Sequence, residues 1–113
     1  MSPDRASDPL LASSLPNAVA ASGGETAGAA LPAGCWAGYF CAGQNNDPVP
    51  NNYGCGWHDV NLRGEGWWVN DLKQGTKRVK MYDFNWNPIY TTPVAPYSDW
   101  TADWDDVYHL YAC

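Results

Sequence analysis

Positive charge is scarce in this chain. Six Lys and Arg stand against twelve Asp and Glu among 113 residues, giving a formal net charge of −6 at pH 7 and a pI near 4.4. Such a balance repels phosphate backbones and anionic lipid headgroups, so neither nucleic acid nor a membrane surface is expected as a partner. Long apolar runs are missing too, and none approaches the roughly 20 residues that a spanning helix needs. No segment of ten or more residues carries a helical period. The nucleophile setting G-x-S-x-G and the pair C-x-x-C are both absent, which removes the usual hydrolase elbow, the thioredoxin-type site and the zinc knuckle.

What the chain has instead is aromatic mass. Hydrophobic residues make up 45%, with seven Trp and seven Tyr, enough apolar area to exclude disorder for the chain as a whole. Its length allows one domain. Residues 1–31 differ from the rest: "MSPDRASDPLLASSLPNAVAASGGETAGAAL" holds no aromatic, no Cys and a single base, Arg5. That composition predicts a flexible, disordered leader. Ala18-Val19-Ala20 has the small-x-small form of a signal-peptidase site, behind a thin apolar run at Leu10, Leu11 and Leu15. The leader therefore reads as the tail of an export signal or a pro-segment, with a flexible tail on an intracellular protein as the alternative.

Cys35, Cys41, Cys55 and Cys113 all fall in the aromatic-rich part, with 5, 13 and 57 residues between them. Joining Cys55 and Cys113 to His58 and His109 as a zinc set matches no standard spacing. Two disulfides fit better. The domain from residue 32 to 113 is short enough that a hydrophobic core alone leaves little margin, and bridges persist where the compartment is oxidising. A secreted protein is expected, with three disulfide connectivities open.

Turn formers recur in "GQNNDPVPNNYG", "NLRGEG", "KQGT", "NWNP" and "PVAPYSD". Between them lie short aromatic or β-branched runs that predict strands at 36–41, 55–60, 66–70, 77–84, 88–92 and 107–113. A hairpin turn is expected around Asn85–Pro88. Pro93 and Pro96 make "TTPVAPYSD" an extended connection. Strands at intervals of about ten residues predict an all-β, antiparallel Greek-key sandwich.

The stretch "CWAGYFC" resembles the C-P-x-G-x-x-C signature of the actinobacterial secreted peptidase inhibitor family I36, through Cys35, Gly38 and Cys41, with Trp36 in the usual Pro position. "WWVNDLKQGTKRVKMYD" is similar to the W-(I/V)-N-N-x-x-x-G-T run of the same small exported proteins. The resemblance covers about residues 33–113. It implies a βγ-crystallin-like fold, a short bridge Cys35–Cys41 with Cys55–Cys113 left as the second, and a proteinase-inhibitor function directed at metalloproteinases. The family's reactive loop lies within a second short disulfide loop, which has no counterpart here. A βγ-crystallin calcium site wants an Asx-Asx-x-x-Ser/Thr-Ser run, and "NNDPVP" and "NNYGCG" lack the hydroxyl pair. No metal or cofactor is expected.

Other chemistry is thin. His58-Asp59 are strand neighbours and point to opposite faces. Asp99, Asp103, Asp105 and Asp106 read as a solvated acidic loop, and Lys73, Lys77, Arg78 and Lys80 as the exposed side of a strand. No enzymatic activity is expected. The surplus is tryptophan, because exposed Trp anchors protein partners or stacks on sugar rings. The candidate binding residues are Trp67, Trp68, Trp86, Trp100 and Trp104, with "NWNP" and "SDWTADW" as the foremost loops. Two functions follow: a monomeric inhibitor of an extracellular metalloproteinase, or an extracellular binding or toxin-like module recognising a cell-wall glycan or envelope protein.

Overall fold

The computed structural model describes residues 25–28 and 30–113; the expected export-signal features before residue 25 lie outside them. Among the described residues the regular structure is entirely β. The strands are β1 Glu25–Ala27, β2 Phe40–Gln44, β3 Asn51–Tyr53, β4 Gly56–Asp59, β5 Glu65–Asn70, β6 Val79–Tyr82, β7 Pro88–Thr91, β8 Tyr97–Asp103 and β9 His109–Ala112. They form two antiparallel sheets, ordered β1-β8-β5-β2-β3 and β4-β9-β6-β7. Only β2–β3 and β6–β7 pair as sequence neighbours. From β3 onward every connection except β6–β7 crosses between the sheets, so pairing depends on residues far apart in sequence.

Alternation explains the common core. Phe40 and Ala42 of β2 and Trp68 of β5 face Val79 and Met81 of β6 and Leu110 and Ala112 of β9. Loop residues Val60, Leu62, Leu72 and Val107 close its rim. Trp68 is the hub, with its ring centroid 5.6 Å from Phe40 and 6.5 Å from Tyr97. Asn70 ends β5 inside this core. Its amide donates to Lys77 O (3.0 Å), Pro93 O (3.2 Å) and Thr92 Oγ1 (3.3 Å), while its oxygen accepts from Leu72 N–H (3.2 Å). A buried amide with these partners fastens the 71–77 loop to the sheet, and its hydrogen bonds offset the cost of removing it from water.

The two disulfides are Cys35–Cys41 and Cys55–Cys113. Strands at 55–60, 88–92 and 107–113 are found with trimmed ends, the one at 66–70 gains Glu65, and the 77–84 strand contracts to β6. Four expectations change. β2 starts at Phe40 rather than Trp36, because residues 35–39 turn back within the short bridge, with Tyr39 N–H donating to Trp36 O. β3 lies inside a run of turn formers. The longest strand, β8, occupies "YSDWTAD", read above as connection and acidic loop. Its buried Ser98 and Asp99 are consecutive, and a bulge opposite Gly66–Trp68 breaks the alternation that would have revealed it. β1 in turn extends the sheet beside β8, inside the segment read as leader.

Asp99 is accordingly no solvated carboxylate. It is fully buried. Oδ1 accepts the N–H (2.9 Å) and hydroxyl (3.3 Å) of Thr101, and Oδ2 has no partner among the described residues. Burial pushes its pKa up, and the Thr101 bonds only partly offset that. With the folded pKa above the unfolded one, the native state holds the proton more tightly. Its contribution is therefore present at acidic pH and lost as pH rises through the folded value. Asp99→Asn, which removes the buried charge, should flatten this fall and raise Tm at neutral pH, by about 4–8 °C for each kcal/mol relieved. Thermal unfolding across a pH series checks it; identical pH profiles for both proteins would refute it.

Candidate binding site

Each strand of the second sheet sends alternate side chains outward, and the register decides which of them meet. Trp57 of β4 lies opposite Tyr111 of β9, which lies opposite Lys80 of β6 and then Thr91 of β7. The neighbouring row is Asp59, His109 and Tyr82. The outer face thus carries a cross-strand aromatic row beside a polar one.

The β6–β7 hairpin adds the piece that completes it. Asp83 organises this turn: Oδ1 accepts the N–H groups of Asn85 and Asn87, each at 2.9 Å, and Oδ2 accepts the Asn87 amide at 3.2 Å. Trp86 sits in the left-handed region at φ 66°, a conformation a bulky residue adopts only when its surroundings enforce it. Its ring folds back over the sheet and stacks on His109, centroids 3.5 Å apart and planes within 5°. Underneath, His109 Nδ1–H donates to Asp59 Oδ1 at 2.9 Å, holding the imidazole flat against the indole. Trp57 meets Trp86 edge-on, at 5.6 Å and 73°. It also touches Tyr111 at 4.9 Å and Tyr82 at 5.2 Å.

The result is an angled corner of two indoles, supported from below by Tyr82, His109 and Tyr111. Trp57 and Trp86 are 56% and 53% exposed despite these contacts. A large apolar surface that stays open while its edges are held in place is what distinguishes a binding surface from a scattered exposed residue.

The five Trp singled out from the sequence fall in three places. Trp86 joins the corner. Trp67 and Trp100 pair on the outer face of the first sheet, centroids 6.0 Å apart. Trp68 and Trp104 are each 1% exposed; they belong to the core and offer nothing to a ligand. Sequence reasoning omitted Trp57, Tyr111 and His109 from the site. The available signal was the alternation of Trp57 with His58 and of Tyr111 with Leu110, but their meeting depends on a β4–β9 register that local pattern does not contain.

His58 faces the other way. Its Nε2–H donates to Gly54 O at 2.7 Å, and its ring lies against Tyr53. The imidazole is thus a structural tie between β4 and β3. A shallow concavity of about 370 Å³ lies between Gly38, Tyr39, Cys55, Lys73, Gln74 and Cys113. Its one ionised side chain, Lys73, is already paired with Asp71 at 3.1 Å. No group of three or more His, Cys, Asp or Glu is placed to hold a metal among the described residues. Comparison with protein families, curated proteins and solved structures finds no match.

Proposed function

We propose that this chain is an extracellular binding module whose Trp57–Trp86 corner stacks on the pyranose rings of a cell-wall glycan. One observation carries the reading: two indoles at 73°, each more than half exposed, are fixed by a turn, a histidine stack and a tyrosine row. A pyranose presents apolar C–H faces and a hydroxyl rim. Indole planes match the faces, while Asp59, Lys80, Asn85 and Asn87 around the corner offer hydrogen bonds to the rim. Pre-fixed rings lose little entropy on binding. The disulfides support an oxidising, extracellular setting.

The test is retention on insoluble polysaccharides and isolated cell-wall sacculi. Trp57→Ala and Trp86→Ala should each weaken retention by about tenfold, the scale of one lost aromatic stack of 1–3 kcal/mol. Trp67→Ala on the opposite sheet should bind as wild type. Retention that survives the Trp57/Trp86 double substitution in a folded protein would overturn the proposal.

The inhibitor reading has one supporting observation of its own. Cys35–Cys41 closes the short loop as the resemblance implies, and Trp36 projects from it, 59% exposed. The βγ-crystallin-like topology rests on the same resemblance. This reading expects micromolar protein to suppress a thermolysin-like metalloproteinase; undiminished hydrolysis would remove it.

A further inference from the structure

We infer that the glycan bound by the aromatic corner is acidic, a polymer of carboxylate-bearing sugars, an inference that rests on the binding reading above. Lys80 stands in the same cross-strand row as Trp57 and Tyr111, directly opposite Tyr111 and Thr91. It is exposed and has no carboxylate partner among the described residues. In a chain where acids outnumber bases twelve to six, a cation left without a carboxylate beside the ring row is an unused charge.

Arg78 reinforces it. Two residues earlier in the same extended run, it is also exposed, and Nη1–H donates to Thr92 O at 3.0 Å. That bond fixes the guanidinium while leaving its other N–H groups available for a fork onto a carboxylate. Asp59, in the neighbouring row, bonds His109 through Oδ1, and the row of Trp57, Tyr111, Lys80 and Thr91 contains no acidic side chain. Asp83 spends its oxygens on the hairpin turn. Lys80 and Arg78 therefore bring two cations to this end of the row, while the Asp59 and Asp83 carboxylates hold bonds to His109 and to the hairpin turn.

Geometry gives the division of labour. Two strand spacings, about 10 Å, separate the backbones under Trp57 and Lys80. The lysine's four-carbon stem lets its ammonium reach over Tyr111 toward the corner. A sugar ring stacked on the indoles or on Tyr111 would set its exocyclic carboxylate within reach of Lys80 and Arg78. Rings then supply the contact area and the cations select the charged polymer, an arrangement that distinguishes uronates from neutral chains with identical rings.

The test compares polygalacturonate with its fully methyl-esterified form, in affinity electrophoresis and calorimetry, using the full chain with its disulfides intact. At low salt the acid form should bind at least about tenfold more tightly, and the gap should narrow as salt screens the exposed charges. Lys80→Gln and Arg78→Gln should each shrink that preference, and Trp57→Ala should weaken both polymers. Equal binding of the two forms, still dependent on Trp57, would overturn the acidic class while leaving the aromatic reading intact. Salt-sensitive binding of the acid form that ignores Trp57→Ala would mark simple ion exchange and overturn both. Failure of both polymers to bind overturns the acidic inference, while retention on neutral polysaccharides continues to judge the aromatic corner separately.

Discussion

Replacing Cys55 and Cys113 together with serine is expected to abolish cooperative folding near physiological temperature, whereas the Cys35/Cys41 double substitution should leave a folded protein. The contrast comes from loop length. Cys55 and Cys113 are 58 positions apart and Cys35 and Cys41 only six. Chain-entropy arithmetic assigns about 4 kcal/mol to the long closure and about 2 kcal/mol to the short one. Against a total of roughly 4–12 kcal/mol for a domain of this size, the first is a large fraction and the second is survivable. Position adds to length. Cys113 follows β9, an interior strand of the second sheet, and its carbonyl accepts from Thr76 N–H (3.2 Å) and the Thr76 hydroxyl (3.3 Å). Its own N–H donates to Arg78 O at 3.1 Å. Loss of the bridge frees the strand that carries both Tyr111 and His109, so the aromatic corner should go with it. Urea unfolding followed by near-UV circular dichroism separates the two variants. Equal, small shifts in midpoint for both would refute the assignment of the long bridge as the main staple.

The sequence made the class of fold legible because its signals are local. Lys77–Tyr82 alternates, turn residues punctuate the chain, and four cysteines in a short domain call for bridges. The bridge pairing came from the likeness of "CWAGYFC" to a known signature, not from spacing. What escaped was non-local. β8 is hidden because Ser98 and Asp99 are both buried although they point to opposite faces of the sheet, and the bulge at Trp100 and Thr101 leaves two consecutive residues exposed, so neither hydrophobicity nor period marks it. Asp99 looked like surface because aspartate usually is. Trp67 and Trp68 are neighbours in one strand, so only one of them can face the core, and which one depends on the partner sheet. Trp86 is the instructive case. The turn "NWNP" was readable, but the positive φ that swings its indole onto His109 follows from Asp83 gathering the N–H groups of Asn85 and Asn87, a cage that composition does not announce.

Gly66→Ala is expected to be among the most damaging single substitutions in the domain, and Gly43→Ala, one strand away, to be far milder. A methyl at Gly66 would stand 2.1 Å from the Gly43 carbonyl oxygen and 3.0 Å from the Trp104 ring. The first obstacle is backbone in the central β2–β5 pair, which cannot move without breaking the register Gln44↔Gly66 and Gly43↔Trp67. The second is a core indole with nowhere to go. Overpacking of this kind costs typically 1–3 kcal/mol where side chains can yield, and more where they cannot. A methyl at Gly43 instead meets the Trp67 ring at 2.5 Å. That ring lies on the outer face, half-buried, and can swing aside. Gly43→Ala should therefore keep most of the stability but lose the Trp67–Trp100 pairing. Thermal unfolding reads the first effect and the near-UV tryptophan signal reads the second. The aromatic corner, on the opposite sheet, should keep its glycan retention in Gly43→Ala. Were the Gly66 variant to unfold at the wild-type temperature, the close β2–β5 approach would be wrong, and with it the seat assigned to Trp104.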